Sequence, residues 1–328
     1  MKNTSIHKNK NEHVISFMHI ISLFSNKATG NVRTNFIRMK KIIYILSAYI
    51  FLFSACTEPY DTTLESSYVR LVVQASINDE LKPHQVKLTK SADYFSNTPA
   101  IKVKGADITI SDGENIFNLH EVSDGIYETD TIAGVPGRTY TLTIISEGNT
   151  YTATCYMNFC PSIDSIRFGY YDLSAYDIVD SSASVLLNAL EPETPDNYYM
   201  WNVYKNGVLE TDTINEVFFS DDQFINGNYI YDAEVGWLDQ VDIGDTVTLE
   251  MLSITKEYYD YIYQILSVTD WNMGPLGGPP ANPNGNIVET NDNNNNNDDP
   301  LGFFLAYSIY RITDTVPEKD LWIELRWY

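Results

Sequence analysis

Cysteine, histidine and positive charge are all scarce in this sequence, and each scarcity removes a class of function. The three cysteines among 328 residues, Cys56, Cys155 and Cys160, are too few for a disulfide framework and lack metal-ligand spacing. Lys and Arg number 21 against 44 Asp and Glu, a net charge of −23. Such a field repels phosphate backbones and anionic headgroups, which argues against a nucleic-acid partner. A phosphate-cradling loop is missing too, because "GPLGGPP" has neither the following lysine nor a helix. No cofactor is expected. Long apolar runs are also missing: none approaches the ~20 residues of a spanning helix.

The longest run that is present, Ile42 to Phe53 in "KKIIYILSAYIFLFSACTEPYD", has 12 residues. A basic flank (Arg38, Lys40, Lys41), an apolar centre and a small-residue exit are the layout of a secretory signal. The exit, Phe53-Ser54-Ala55-Cys56, resembles the lipobox of bacterial lipoproteins, with phenylalanine where leucine is usual. The resemblance implies lipidation of Cys56 and a signal peptide over 39–55. Met39 directly precedes the two lysines, so residues 1–38 read as an upstream extension, and 56–67 as a tether. Residues 56–328 carry 13 Lys/Arg and 43 Asp/Glu, a net charge of −30. That suits an exported, well-solvated protein.

Beyond the tether the chain reads as mainly β. Two β-sandwich-like domains are expected, the first immunoglobulin-like over 68–160, the second over 161–328 with one helix. In "GADITISDG" Ala106, Ile108 and Ile110 alternate inward, and Asp112-Gly113 makes a turn. Tyr140, Leu142 and Ile144 share a face before a turn at Glu147-Gly148-Asn149. Asn206-Gly207 marks another hairpin. The apolar stripe Tyr258, Tyr261, Ile262, Ile265 and Leu266 has helical spacing, predicting a helix over 256–269 capped by Thr255, with Glu257, Asp260 and Gln264 facing away. The stretch 272–300, rich in Gly, Pro and Asn, reads as a mobile or irregular surface loop. "LGFFLAYSIYRI" reads as a buried strand after it. Cys155 belongs to an apolar strand face; a straight strand would hold Cys160 about 16 Å away, beyond the ~7 Å Cα reach of a disulfide, so a bridge would need a sharp bend.

The lipobox, "VRLVVQASINDE", "HQVKLTKSADYF", "GVPGRTYTLTIISEGNTYTAT", "SITKEYYDYI" and the pair "NPNGNI" and "LGFFLAYS" together resemble a Bacteroidota outer-membrane lipoprotein family, the domain of unknown function 4249. "DGIY" and "PGRTYTLTI" are also similar to carboxypeptidase-regulatory-like sandwiches. The family resemblance supplies no catalytic residues. It implies an outer-membrane location, lipid-anchored, and the company of a TonB-dependent transporter, with either membrane face open. The resulting expectation is a non-enzymatic accessory or binding component with an unidentified ligand. The alternatives are an anchored carboxylate-using hydrolase and a structural or adhesive envelope protein.

Chemistry-bearing clusters are few. His84 and His120 are the histidines beyond the signal, and both read as exposed strand residues. Asp239, Asp242 and Asp245 in "DQVDIGD" are calcium candidates, as calcium takes six or more oxygens from such loops, with solvated turn residues as the competing reading. Asp221-Asp222 and Asp298-Asp299 are further acidic pairs.

Overall fold

A computed structural model describes residues 44, 69–92, 99–171, 182–269, 282–290 and 299–326. The chain divides into Met1–Leu64 and Glu65–Tyr328. Cys56 and the Asn293–Asn297 run lie outside the described residues, and so do the spans read as extension (1–38), signal peptide (39–55, residue 44 apart) and tether (56–67). Everything below concerns the second unit.

The architecture is mainly β with one α-helix, α1 (Lys256–Thr269), among the described residues. Alternation sets the strands of the first sandwich. In β8 (Thr139–Ser146) Tyr140, Leu142 and Ile144 are buried, and in β4 (Asp107–Ser111) Ile108 and Ile110 are buried. β8 turns into β9 (Asn149–Tyr156) through Glu147 and Gly148, at φ 53° and 88°, a two-residue turn matched to strand twist. With β5 (Ile116–Asn118) and β17 (Val288–Glu289) they form a five-stranded sheet in the order β17-β9-β8-β4-β5.

Opposite it lies part of a ten-stranded sheet. β1 (Leu71–Asn78), β2 (Gln85–Lys90), β3 (Ile101–Lys102), β6 (His120–Ser123) and β7 (Ile126–Glu128) come from the first half of the chain. β12 (Tyr198–Lys205), β13 (Val208–Leu209), β14 (Phe218–Asp221) and β16 (Thr246–Ile254) come from the second. β18 (Leu301–Thr315) joins the two groups. It runs parallel to β1 from Val72↔Leu301 to Asn78↔Tyr307, then antiparallel to β16 from Ser253↔Ser308 to Thr246↔Thr315. A third sheet, β15-β11-β10-β19 (Tyr229–Leu238, Ala183–Leu190, Ser165–Tyr171, Ile323–Leu325), closes a second sandwich.

The large sheet therefore takes strands from both sides of the 160/161 boundary read from the sequence. One core joins Val73, Ile77, Leu88, Tyr127 and Tyr140 to Leu252, Ile262, Ile287, Phe304 and Ala306. The other holds Phe168, Val185, Leu187, Trp201, Val203 and Leu249. The helix packs on the first core: Ile262 is fully buried, while Leu266 is half-buried. Thr255 caps it, its Oγ1 accepting from Tyr258 N at 3.3 Å.

Two expectations are corrected. Part of the stretch read as a surface loop, 282–290, is docked: Ile287 is buried and β17 pairs with β9. Asn286 Nδ2 donates to Phe304 O at 2.8 Å and its Oδ1 accepts from Phe304 N at 2.9 Å. Polar composition masked this, because one amide was satisfying a strand's backbone rather than meeting solvent. Gln264, read as facing away, accepts from Asn284 N at 2.8 Å and so steadies the same segment.

Glycines allow this close approach. A Cβ on Gly285 would lie 1.8 Å from Gly302 O, and one on Gly302 (φ +99°) would lie 1.9 Å from Val73 O. Gly113 has a similar φ of +88° with open space around it. Gly113→Ala should thus cost only the left-handed strain, about 1–2 kcal/mol, while Gly302→Ala should cost clearly more, because backbone must also shift. Urea unfolding of the two variants checks this; equal losses would mean that the β1–β18 contact yields without penalty.

Candidate functional site

On the large sheet, the face turned away from the five-stranded sheet is not covered evenly. Helix α1 lies over one end, and beside it a groove of about 530 Å³ remains. Its floor comes from alternate residues of neighbouring strands: Gln85 and Lys87 on β2, Gln74 and Ser76 on β1, Phe303, Leu305 and Tyr307 on β18, and Asn202 on β12. The helix supplies the wall through Tyr258, Tyr261 and Ile265. Phe303 anchors that wall, with its ring 5.1 Å from both Tyr258 (edge-on) and Tyr261. Burial pushes the Tyr258 hydroxyl up to about 12, so it stays a neutral donor. One end of the groove is thus aromatic, and the other carries amides, a hydroxyl and the Lys87 ammonium. A surface of that kind offers stacking and hydrogen bonding to a ligand.

An ion cluster borders the polar end. Arg311 on β18 bonds both Glu80, in the β1–β2 turn, and Glu250 on β16. Lys82 reaches Glu80 Oε2 at 2.6 Å, and Asn202 Nδ2 donates to Glu250 Oε1 at 2.8 Å. Glu250 is buried, with a side-chain exposure of 5 %. Asn78 Nδ2 donates to Glu80 Oε2 at 3.3 Å and to Tyr307 Oη at 3.4 Å, linking the cluster to the groove.

The residues singled out in the sequence do not converge here. His84 is a correction: it is buried, not exposed, because its ring pins the β1–β2 connection. Its Nδ1 accepts from Asn78 N at 3.4 Å and its Nε2 lies 3.0 Å from Ile132 O. Burial lowers its pKa, which disfavours the charged ring. His120 is exposed on β6. Asp242 and Asp245 bond each other's backbone in one turn: Asp242 N donates to Asp245 Oδ2 at 3.0 Å, and Asp245 N to Asp242 O at 3.1 Å. Asn206 Nδ2 donates to Asp245 Oδ1 at 2.8 Å, and Lys205 binds Asp239 O at 2.8 Å. Among the described residues, no three His, Cys, Asp or Glu side chains are grouped to hold a metal ion. Asp222 is buried and Asp299 is exposed. Cys155 and Cys160 are free thiols. Cys155 Sγ accepts from Ala306 N at 3.1 Å, and Cys160 Sγ faces Met251 O at 3.4 Å. Burial raises the two to about 11 and about 12, so neither is a ready nucleophile.

Residues 57–313 match the model of a protein family, the domain of unknown function (DUF4249). The chain belongs to the DUF4249 family. No curated protein matches it. Among solved structures it is similar to a two-domain fibronectin type-III segment of chicken tenascin, at 13 % identity over 57 % of this chain and 91 % of that one, with a TM-score of 0.19. The Yersinia pseudotuberculosis adhesin InvE follows at 17 % identity, 58 % and 56 % coverage and a TM-score of 0.19. Chicken CNTN1 FN1-FN3 domains give 8 %, 56 % and 60 %, with a TM-score of 0.22. Likeness this slight carries no functional argument.

Two motifs of this DUF4249 chain meet at β18: "LGFFLAYS" supplies part of the groove floor, and "NPNGNI" bonds the backbone of the same strand at Phe304. The polar lining was not singled out in the sequence. The signal that could have found it is a polar, outward-facing row in "QAS" and "HQVKLTK" opposite a strand apolar on both faces.

Burial alone would raise Glu80, but hydrogen bonds and charge from Arg311 and Lys82 outweigh it and hold the carboxyl at about 2. A depressed carboxyl contributes stability above its unfolded pKa, near 4.5, and that contribution disappears as pH falls through about 2. Glu80→Gln should therefore be less stable than wild type at pH 7, with the gap closing between pH 4.5 and 2. Urea titrations at pH 7, 4 and 3 test it; a gap independent of pH would show that the charge on Glu80 contributes nothing.

Proposed function

We propose that this DUF4249 protein is a lipid-anchored outer-membrane lipoprotein of the Bacteroidota type. In this reading it is a non-enzymatic binding component that serves a TonB-dependent transporter by engaging the transporter, its substrate, or both. The observation that carries the binding role is the aromatic and amide-lined groove beside α1, built on rigid strands and walled by one helix. Its two carboxylate neighbours, Glu80 and Glu250, are tied to Arg311, which suits a structural ion cluster better than acid–base work. Support for the anchor is the sequence Phe53-Ser54-Ala55-Cys56 after a short apolar run.

The anchor is tested by metabolic labelling with an alkyne fatty acid. Wild type should take up label and Cys56→Ser should take up none, remaining as uncleaved precursor. Equal label on both would overturn lipidation at Cys56.

The partnership is tested by affinity purification from membranes. A large outer-membrane barrel should copurify with wild type and be lost with the double variant Gln85→Glu/Lys87→Glu, whose two sites are exposed and belong to the groove. Equal recovery with both would remove the groove from the interface, and no barrel with wild type would refute the transporter partnership.

A further inference from the structure

His84 is buried, and both of its ring nitrogens are committed to backbone groups. A backbone N–H can only donate, so Nδ1 accepts from Asn78 N at 3.4 Å and carries no proton. The ring proton therefore sits on Nε2, which donates to Ile132 O at 3.0 Å. Lys82 N donates to the same carbonyl at 3.1 Å. The His84 backbone is tied down as well, its N donating to Thr129 Oγ1 at 2.9 Å and its O accepting from Thr129 N at 3.0 Å. A second ring proton would have to enter between Nδ1 and Asn78 N–H, where two donors would face each other.

Asn78, 2 % exposed, ends β1 and is the joint between the ring and the groove. Its O accepts from Gly134 N at 2.8 Å, and its Oδ1 accepts from Glu80 N at 3.2 Å. Its Nδ2 reaches both Glu80 Oε2 and Tyr307 Oη, the latter a groove residue. Loss of the His84–Asn78 bond would loosen the residue that holds Glu80, and through Glu80 the Arg311 and Lys82 pairs, beside the groove.

We propose that the β1–β2 turn, residues 79–84, is a pH-sensitive latch on the polar border of the groove. Neutral His84 holds the turn shut, and protonation of Nδ1 in mildly acid solution frees Asn78 and lets the turn open. The device is independent of what the groove binds.

Burial keeps the folded pKa of His84 below its ordinary 6.5, and opening of the turn returns the ring to water. The neutral ring therefore stabilises the shut turn fully above pH 6.5, and this is lost as pH falls through the folded value. Between the two values opening rises by up to about tenfold per pH unit. Within the turn Lys82 disfavours the charged ring and Glu80 favours it. Glu80, paired with Arg311 from β18, titrates only at about 2, far below this range. Asp130, on the segment packed against the ring, is exposed. Asp79 acts in the opposite direction: its Oδ1 accepts from Ile309 N at 3.0 Å, and burial raises its pKa, so acid favours its shut position.

Amide hydrogen exchange of the ¹⁵N-labelled full chain between pH 7.5 and 5.5, corrected for the intrinsic pH dependence of exchange, tests the latch. The Asn78 and Gly134 amides should lose protection about threefold or more, beginning near pH 6.5. The Asn206 amide, bonded to Thr246 O in the second sandwich, should keep its protection. His84→Asn, which retains an acceptor but cannot titrate, should abolish the pH dependence at Asn78. Asn78 protection that stays flat or rises on acidification of the wild type would overturn the proposal, whether or not the variant folds. An equal loss at Asn206 would show global unfolding instead of a latch, and a loss that persists in His84→Asn would remove His84 as its sensor.

Discussion

Strand β18 is the constraint on which the rest of the molecule depends. Its fifteen residues serve two sandwiches in succession, changing partner between Tyr307 and Ser308. Its pairing with β1 is parallel, so no hairpin can join the two, and the connection covers most of the chain. The first sandwich consequently lacks a central strand until the late part of the sequence is in place. Two sandwiches built on one continuous sheet cannot hinge freely at 160/161, because bending there would break the ladder that β18 makes on both sides. Long-range pairing of this kind also makes for slow folding.

The same strand explains the groove. From Gly302 to Ala306 every residue is buried, which a strand covered on one face does not show. Phe303 and Leu305 line the helix side, and the alternating Phe304 and Ala306 take the opposite face. Helix α1 covers only part of that second face. Where its cover ends, the floor changes from Phe303 and Leu305 to Gln74, Gln85 and Lys87. A rigid floor with a sharp polar–apolar border is therefore a by-product of how far a 14-residue helix reaches across the sheet.

What the sequence disclosed follows the range of the interactions. The helix bounds, the Thr255 cap and the turns at Glu147-Gly148 and Asn206-Gly207 were all legible, since each depends on neighbours within a few residues. Alternation likewise identified Ile108, Ile110, Tyr140 and Leu142 as core. Other features are set by distant partners and leave no local trace. His84 looks like any polar strand residue until Ile132, far along the chain, approaches its ring. Asn286 sits in a stretch whose composition suggests solvent, yet it completes a backbone ladder at Phe304. The groove belongs to this class as well. It takes one or a few residues from each of six elements, and no window of sequence contains it.

Charge ties fold and site together. Residues 56–328 hold 13 basic side chains against 43 acidic ones, so cations limit how many carboxylates can be buried. Among the described residues nine of the thirteen form ion pairs: Lys82, Lys90, Lys104, Arg138, Arg167, Lys205, Lys256, Arg311 and Arg326. The two arginines with the most buried partners sit at structural joints. Arg138 meets Asp112, 4 % exposed, where β4 turns, and Arg311 meets Glu250, 5 % exposed, across the β16–β18 pair. Removing either cation would leave a buried anion uncompensated, the costly way to break such a pair. Lys87, in contrast, forms no ion pair among the described residues and lines the groove.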